Sequence, residues 1–202
     1  MFSLKKLSPT ITDMIRFDHS HVMVTFHQYK NAKRPSVKKA LAETICTALE
    51  IHATLEEEIF YPVIRQLNGH EPVIEKSVPE HDRMRALIAE LRITDPSERR
   101  HDEVILELMR DVIHHVADEE TVLLPEAENM LSSTRLSELG VAMTRRRMAL
   151  IAPKVGKIAA NTAIGFSGST TALVMGIGGA LLAAGMLKKS LSAKPESGPA
   201  AM

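Results

Sequence analysis

The chain has 202 residues, enough for one ordinary domain and an appendage, and its 45% hydrophobic and 25% charged content is normal for a globular protein. Lysine plus arginine and aspartate plus glutamate balance at 25 each, so the basic excess of a general nucleic-acid binder is absent. A single cysteine, Cys46, excludes an internal disulfide and argues against a zinc-thiolate site.

Met1 to Pro9 contains no long apolar run, so no secretory signal is expected and a reducing cytoplasm is the default compartment. The first helical period runs from about Thr10 to Lys30, with Ile11, Ile15, Val22 and Phe26 inward and Thr10 with Asp13 forming a capping box. The second runs from about Ser36 to Leu67, with Leu41, Ile45, Leu49, Leu55 and Ile59 inward, and Asn68-Gly69 stops it. Cys46 falls in this apolar pattern and reads as a core residue. The third runs from about Glu71 to Ile93, with Val78, Met84, Ile88 and Leu91 inward. Asp95-Pro96-Ser97 opens the fourth, which runs to about Leu131 with Val104, Leu108, Val112 and Val122 inward. Short loops between long helices predict an all-α, antiparallel up-down four-helix bundle over residues 8–132, with extra C-terminal helical segments.

Residues 133–157 read as an additional helix, about Ser133 to Ile151, and a linker. Residues 158–189 form an uncharged Gly/Ala-rich hydrophobic stretch as far as Leu187, closed by Lys188 and Lys189, and 190–202 read as a disordered tail. Thr170 to Leu187 approaches the length of a membrane span, and Gly168, Ala172, Gly176, Ala180 and Ala184 place a small residue every four positions. Membrane association through 158–189 is one expectation; a helix docked on the bundle is the other. Basic residues flank the stretch on both sides, Lys154 and Lys157 before it and Lys188 and Lys189 after, so the charge rule assigns no orientation.

The four inward faces are interrupted by polar residues: His19 on the first, His52 and Glu56 on the second, His81 on the third, and His115 and Glu119 on the fourth. Residues four apart stack on one helical face, so each His-x-x-x-Glu pair points toward the bundle axis. An unpartnered buried carboxylate is very costly, whereas a metal keeps it ionised and accepts neutral imidazole nitrogens. The pattern also repeats. His19 and His81 are 62 residues apart, and His52/His115 and Glu56/Glu119 are each 63 apart. A second glutamate (Glu57, Glu120) and a proline (Pro62, Pro125) trail each motif, and an acidic residue (Asp18, Glu80) precedes each single histidine. Those four acids are either groups that orient the ligands or plain solvated charges. Tyr61, five residues after Glu56, could neighbour the site as a redox group but reads better as core packing, and His21, His27, His70, His101 and His114 read as surface or helix-end residues. The imidazole and carboxylate donors suit iron, manganese or zinc, and two carboxylates placed to bridge favour a binuclear iron or manganese centre.

At these residues the sequence resembles the hemerythrin-like HHE cation-binding family, over about Thr10 to Met130. The resemblance implies a bundle holding two non-haem iron ions per chain, carboxylate- and oxo-bridged, on His19, His52, Glu56, His81, His115 and Glu119, with Glu56 and Glu119 as the bridges. Oxygen-carrying hemerythrins have a further histidine one turn after the third-helix ligand, where this chain has Arg85. Of about twelve positions on two octahedral irons, roughly two then stay open. The expected partner is a small diatomic or peroxide ligand (dioxygen, nitric oxide or a peroxide), in sensing, scavenging or storage, with or without turnover. The alternative is an iron-sensing regulatory module without turnover.

Overall fold

The computed structural model describes residues 9–68 and 72–167. Among them the secondary structure is helical, with no strand. Helix α1 (Ile11–Asn31) begins at the expected capping box, in which the Thr10 side chain accepts from the Asp13 amide and the Asp13 carboxylate accepts from the Thr10 amide. Helices α2 (Pro35–Leu55) and α3 (Tyr61–Asn68) are joined without a break by a π-helical turn, Glu56–Phe60. Helix α4 spans Pro72–Ile93. Helices α5 (Arg99–Asp118) and α6 (Leu124–Met130) are joined by a second π-helical turn, Glu119–Leu123. The bundle thus has four long antiparallel rods, and α7 (Ser133–Ile151) packs across α1 and α2.

The π turns change which residues face inward. In each, the amide closing the turn bonds to the carbonyl five residues back, Tyr61 to Glu56 and Leu124 to Glu119. The extra residue advances the phase by one. Ile59 and Val122, expected inward, are half-buried and 39% exposed respectively, while Phe60, Tyr61 and Ile64, and equivalently Leu123, Leu124 and Ala127, form the core. Pro62 and Pro125 follow directly; a proline has no N–H to give to the ladder, so an interruption of the α pattern there costs it little. Val78, also expected inward, is half-buried beside the fully buried Ile74 and Ser77.

Two apolar clusters sit on either side of a polar layer at mid-bundle. One contains Val22, Phe26, Leu41, Ile45, Leu49, Ile88 and Leu108. The other contains Ile11, Ile15, Leu55, Phe60, Ile64, Leu123 and Leu124, and α7 covers it with Leu136, Leu139 and Met143. Cys46 lies in the first cluster, and burial pushes its thiol up to about 12.

After a short 3-10 turn (Ala152–Lys154), helix α8 (Val155–Gly165) lies along α2, and Phe166 enters the first apolar cluster. The described part of the 158–189 stretch is therefore packed on the bundle. No helix among the described residues is long and apolar enough to cross a membrane. The stretch from Gly168 onward, including Thr170 to Leu187 and the tail, lies outside the described residues, as does His70.

Gly140 is where α7 crosses the start of α1, and a Cβ there would stand 2.3 Å from the Pro9 carbonyl oxygen. Backbone cannot yield as a flexible side chain can. Gly140→Ala is expected to destabilise the protein by about 1–3 kcal/mol, read as a lower midpoint in thermal or urea unfolding. An unchanged midpoint would mean that α7 is not held against α1 at this point.

Candidate metal centre

The two His-x-x-x-Glu pairs occupy the last turns of α2 and α5, where each helix passes into its π turn. His19 comes from mid-α1 and His81 from mid-α4. All six side chains are buried, Glu56 and Glu119 completely so. Glu56 Oε2 lies 3.2 Å from His52 Nε2, 3.4 Å from His81 Nε2 and 3.9 Å from His115 Nε2. Glu119 Oε2 lies 3.3 Å from His19 Nε2 and 3.6 Å from His115 Nε2. The ligand-type atoms form two compact groups, His19–His52–Glu56–Glu119 and Glu56–His81–His115, which share Glu56.

The inner atoms need a cation. His19 Nε2, His52 Nε2, Glu56 Oε1 and Glu119 Oε2 are buried and lack any hydrogen bond of acceptable geometry. The 3.3 Å approach of His19 Nε2 to Glu119 Oε2 is thus an ion-pair distance without hydrogen-bond alignment. Without a metal, protons take the cation's place. Burial opposes charge on His115, but Glu119, Glu56 and Glu80 outweigh it and push the imidazole up to about 10. Burial likewise opposes ionisation of Glu56, but the charge of His52 and the nearby His115 and His81 imidazoles hold its carboxyl well below the usual range. Buried carboxylates, unsatisfied nitrogens and a donor set of imidazole and carboxylate fit a metal site.

The outer nitrogens are all engaged. His19 Nδ1 meets Glu120 at 2.8 Å, His81 Nδ1 meets Glu57 at 2.8 Å, His115 Nδ1 meets Glu80 at 3.1 Å and His52 Nδ1 meets Asp18 at 3.5 Å. All four acids that the sequence offered as orienting groups therefore sit on an imidazole, where they fix the tautomer that turns Nε2 inward. The arrangement keeps the pseudo-twofold of the sequence: Glu120 and Glu57 reach across to the other half, and Asp18 and Glu80 stay within their own.

A third layer of cations holds three of these four acids. Arg85 Nη2 donates to both oxygens of Glu57 at 2.8 Å, so the residue at the position of the extra histidine of oxygen carriers clamps the carboxylate that meets His81. Lys76 approaches Glu80 at 3.3 Å and also pairs with Asp118. Arg147, from α7, forks onto Asp18 at 2.5 and 2.6 Å. Burial alone would raise Asp18, yet the hydrogen bond from His52 and the Arg147 charge bring it down to about 2.

Two residues depart from the sequence expectation. Tyr61 donates to Glu119 Oε1 at 2.7 Å and approaches Glu56 Oε2 at 3.2 Å, and its ring stacks on His81, so it touches both carboxylates instead of only filling the core. Its position one residue before the trailing proline was the available signal. His101, expected at the surface or at a helix end, lies in the first turn of α5 but is buried, with its Nδ1 2.7 Å from the Tyr29 hydroxyl; Tyr29 in turn donates to Asp102. His27 and His114 are exposed, and His21 is half-buried.

Beyond the imidazoles, a small cavity of about 10 Å³ is lined on its other side by Val22, Leu49, Ala53, Met84, Val112 and Val116.

The chain belongs to the hemerythrin HHE cation binding domain family, which matches residues 10–127. The solved structure of a hemerythrin HHE cation binding domain-containing protein from Mycobacterium kansasii is similar in fold, with a TM-score of 0.65 at 18% identity over 83% of this chain and 99% of that one. A curated relative from Nostoc sp. (strain PCC 7120 / SAG 25.82 / UTEX 2576), described as a DNA nickase, is 29% identical over 133 residues, which is 66% of this chain. The chain spans only 38% of that relative's length.

The Asp18 geometry sets a pH dependence. Its folded pKa lies below its unfolded value, so its contribution to stability is complete above about pH 4 and disappears as pH falls through about 2. In urea unfolding of the metal-free protein, Asp18→Asn is expected to lack roughly 2 kcal/mol of the stability that the parent loses over this range. Identical pH profiles would rule out the Arg147–Asp18–His52 connection.

Proposed function

We propose that this chain is a non-haem di-iron protein that binds or reacts with dioxygen, nitric oxide or a peroxide. In this reading His19 and His52 would hold one ion, His81 and His115 the other, and Glu56 and Glu119 would supply carboxylate oxygens to the pair. The observation that carries it is the pair of ligand groups sharing Glu56, with buried nitrogens and oxygens left unsatisfied by protein partners. Manganese fits the same imidazole and carboxylate donors, and iron is preferred on the chain's membership of the hemerythrin family. When bound, such ions supply the Lewis acidity and electrons that the side chains lack.

The protein's own part is to orient, exclude and select. The four carboxylates on Nδ1 hold the imidazoles in place. The two apolar clusters keep bulk water from the layer. Tyr61 offers a hydroxyl proton to the carboxylate side. The cavity on the opposite side has room for about one water-sized molecule, which selects a diatomic or hydrogen peroxide over larger ligands.

The test is addition of nitric oxide to the iron-loaded protein without air, followed by optical absorption. A saturable spectral change is expected. Leu49→Phe, which places more side chain into the cavity, should keep the iron and slow the change by about tenfold, on the scale of a steric loss of about 1–3 kcal/mol. No change with nitric oxide, oxygen or peroxide would exclude the reactive reading. The complete burial of Glu56 and Glu119 would then favour iron sensing, because a metal that binds only the folded state stabilises it by mass action.

A further inference from the structure

The bundle end that carries the α1–α2 turn is basic. Between Gln28 and Ala42 the sequence has no aspartate or glutamate. Lys30, Lys33, Arg34 and Lys39 are exposed there, and none has a carboxylate within ion-pair distance among the described residues. Lys38 is neutralised by Asp102 at 2.7 Å. The neighbouring α4–α5 turn adds Asp95 and Glu98 beside Arg99 and Arg100, so it brings no net charge.

Helix α8 delivers the chain to this same end. Phe166 is buried in the core, Gly165 rests on Leu41, and Arg34 donates to the Ser167 hydroxyl at 3.3 Å. A groove of about 240 Å³ opens there, lined in part by Gln28, Asn31, Lys33 and Arg34. From Gly168 to Leu187 the sequence then contains no charged side chain. Apart from Ser169, Thr170 and Thr171 it is apolar, which approaches the roughly 20 apolar residues that a lipid phase accommodates.

We propose that this end of the bundle, from which the uncharged sequence after Ser167 continues, docks on an anionic lipid surface. Sequence alone leaves basic residues on both flanks of the stretch. Folding removes that ambiguity on the bundle side: Lys154 lies 3.5 Å from Glu50 and Lys157 2.8 Å from Glu43, so both are turned back onto the bundle. Lys30, Lys33, Arg34 and Lys39, remote in sequence, replace them as the free cations next to the exit. Juxtaposed basic residues of this kind gain from an anionic leaflet and lose that gain with salt.

The experiment uses the full, metal-loaded chain. An environment-sensitive dye is placed at Lys33→Cys or, at the opposite end, at Arg135→Cys, with Cys46 protected by burial. The probes are phosphatidylcholine vesicles carrying a lipid-borne quencher, with or without phosphatidylglycerol. Quenching at Lys33→Cys but not at Arg135→Cys is expected, stronger with phosphatidylglycerol and weaker in salt. Replacing Lys30, Arg34 and Lys39 by glutamate should lower vesicle partitioning on the order of tenfold or more. Equal quenching at both ends, partitioning indifferent to phosphatidylglycerol, or absence of binding would overturn the proposal. So would displacement from vesicles by a DNA duplex at matched phosphate, which would mark the patch as a nucleic-acid surface.

Discussion

Two carboxylates without solvent access, Glu56 and Glu119, dominate the middle of this bundle. Burying one ionised carboxylate is very unfavourable unless charge and hydrogen bonds are supplied, and here two are placed among four imidazoles. The rest of the architecture answers that constraint. Each imidazole is held from outside by its own carboxylate, Tyr61 spans the two buried acids, and apolar clusters above and below keep the layer dry. Such an arrangement is complete only with a cation between the inward nitrogens and oxygens.

The inner layers follow the repeat of the sequence, whereas the outer layer breaks it. Asp18 is held by Arg147, its counterpart Glu80 by Lys76, and Glu57 by Arg85. The two halves therefore present similar candidate ligands in unequal fields. Arg147 is supplied by α7, beyond the residues 10–127 that define the family match, so the family domain does not contain the whole support of its own site. The close approach of Gly140 to Pro9 and the burial of Met143 dock α7 firmly enough to place that arginine.

Much of this was legible in the residues. Periodicity located the long helices, and the Thr10–Asp13 pair marked the first start, because these signals are local. The six inward polar side chains stood out because each interrupts an apolar face and because the set repeats. A strict 3.6-residue period turns Ile59 and Val122 inward because it cannot register the extra residue of a π turn, although Pro62 and Pro125 signal an interruption. The partners of His101 and Asp18, namely Tyr29 and Arg147, come from other helices, and pairings of that kind follow only from tertiary packing. The exit of the chain beside Arg34 is likewise a product of how α8 lies on α2.

The central claim is tested most directly by elemental analysis of metal bound per folded chain, on protein produced with iron in excess and compared with Glu56→Gln. Two iron ions per chain in the parent, and loss of both in the variant while the helical fold persists, are the expected results, because Glu56 belongs to both ligand groups. A single ion, zinc in place of iron, or an iron count unchanged by Glu56→Gln would contradict the binuclear assignment.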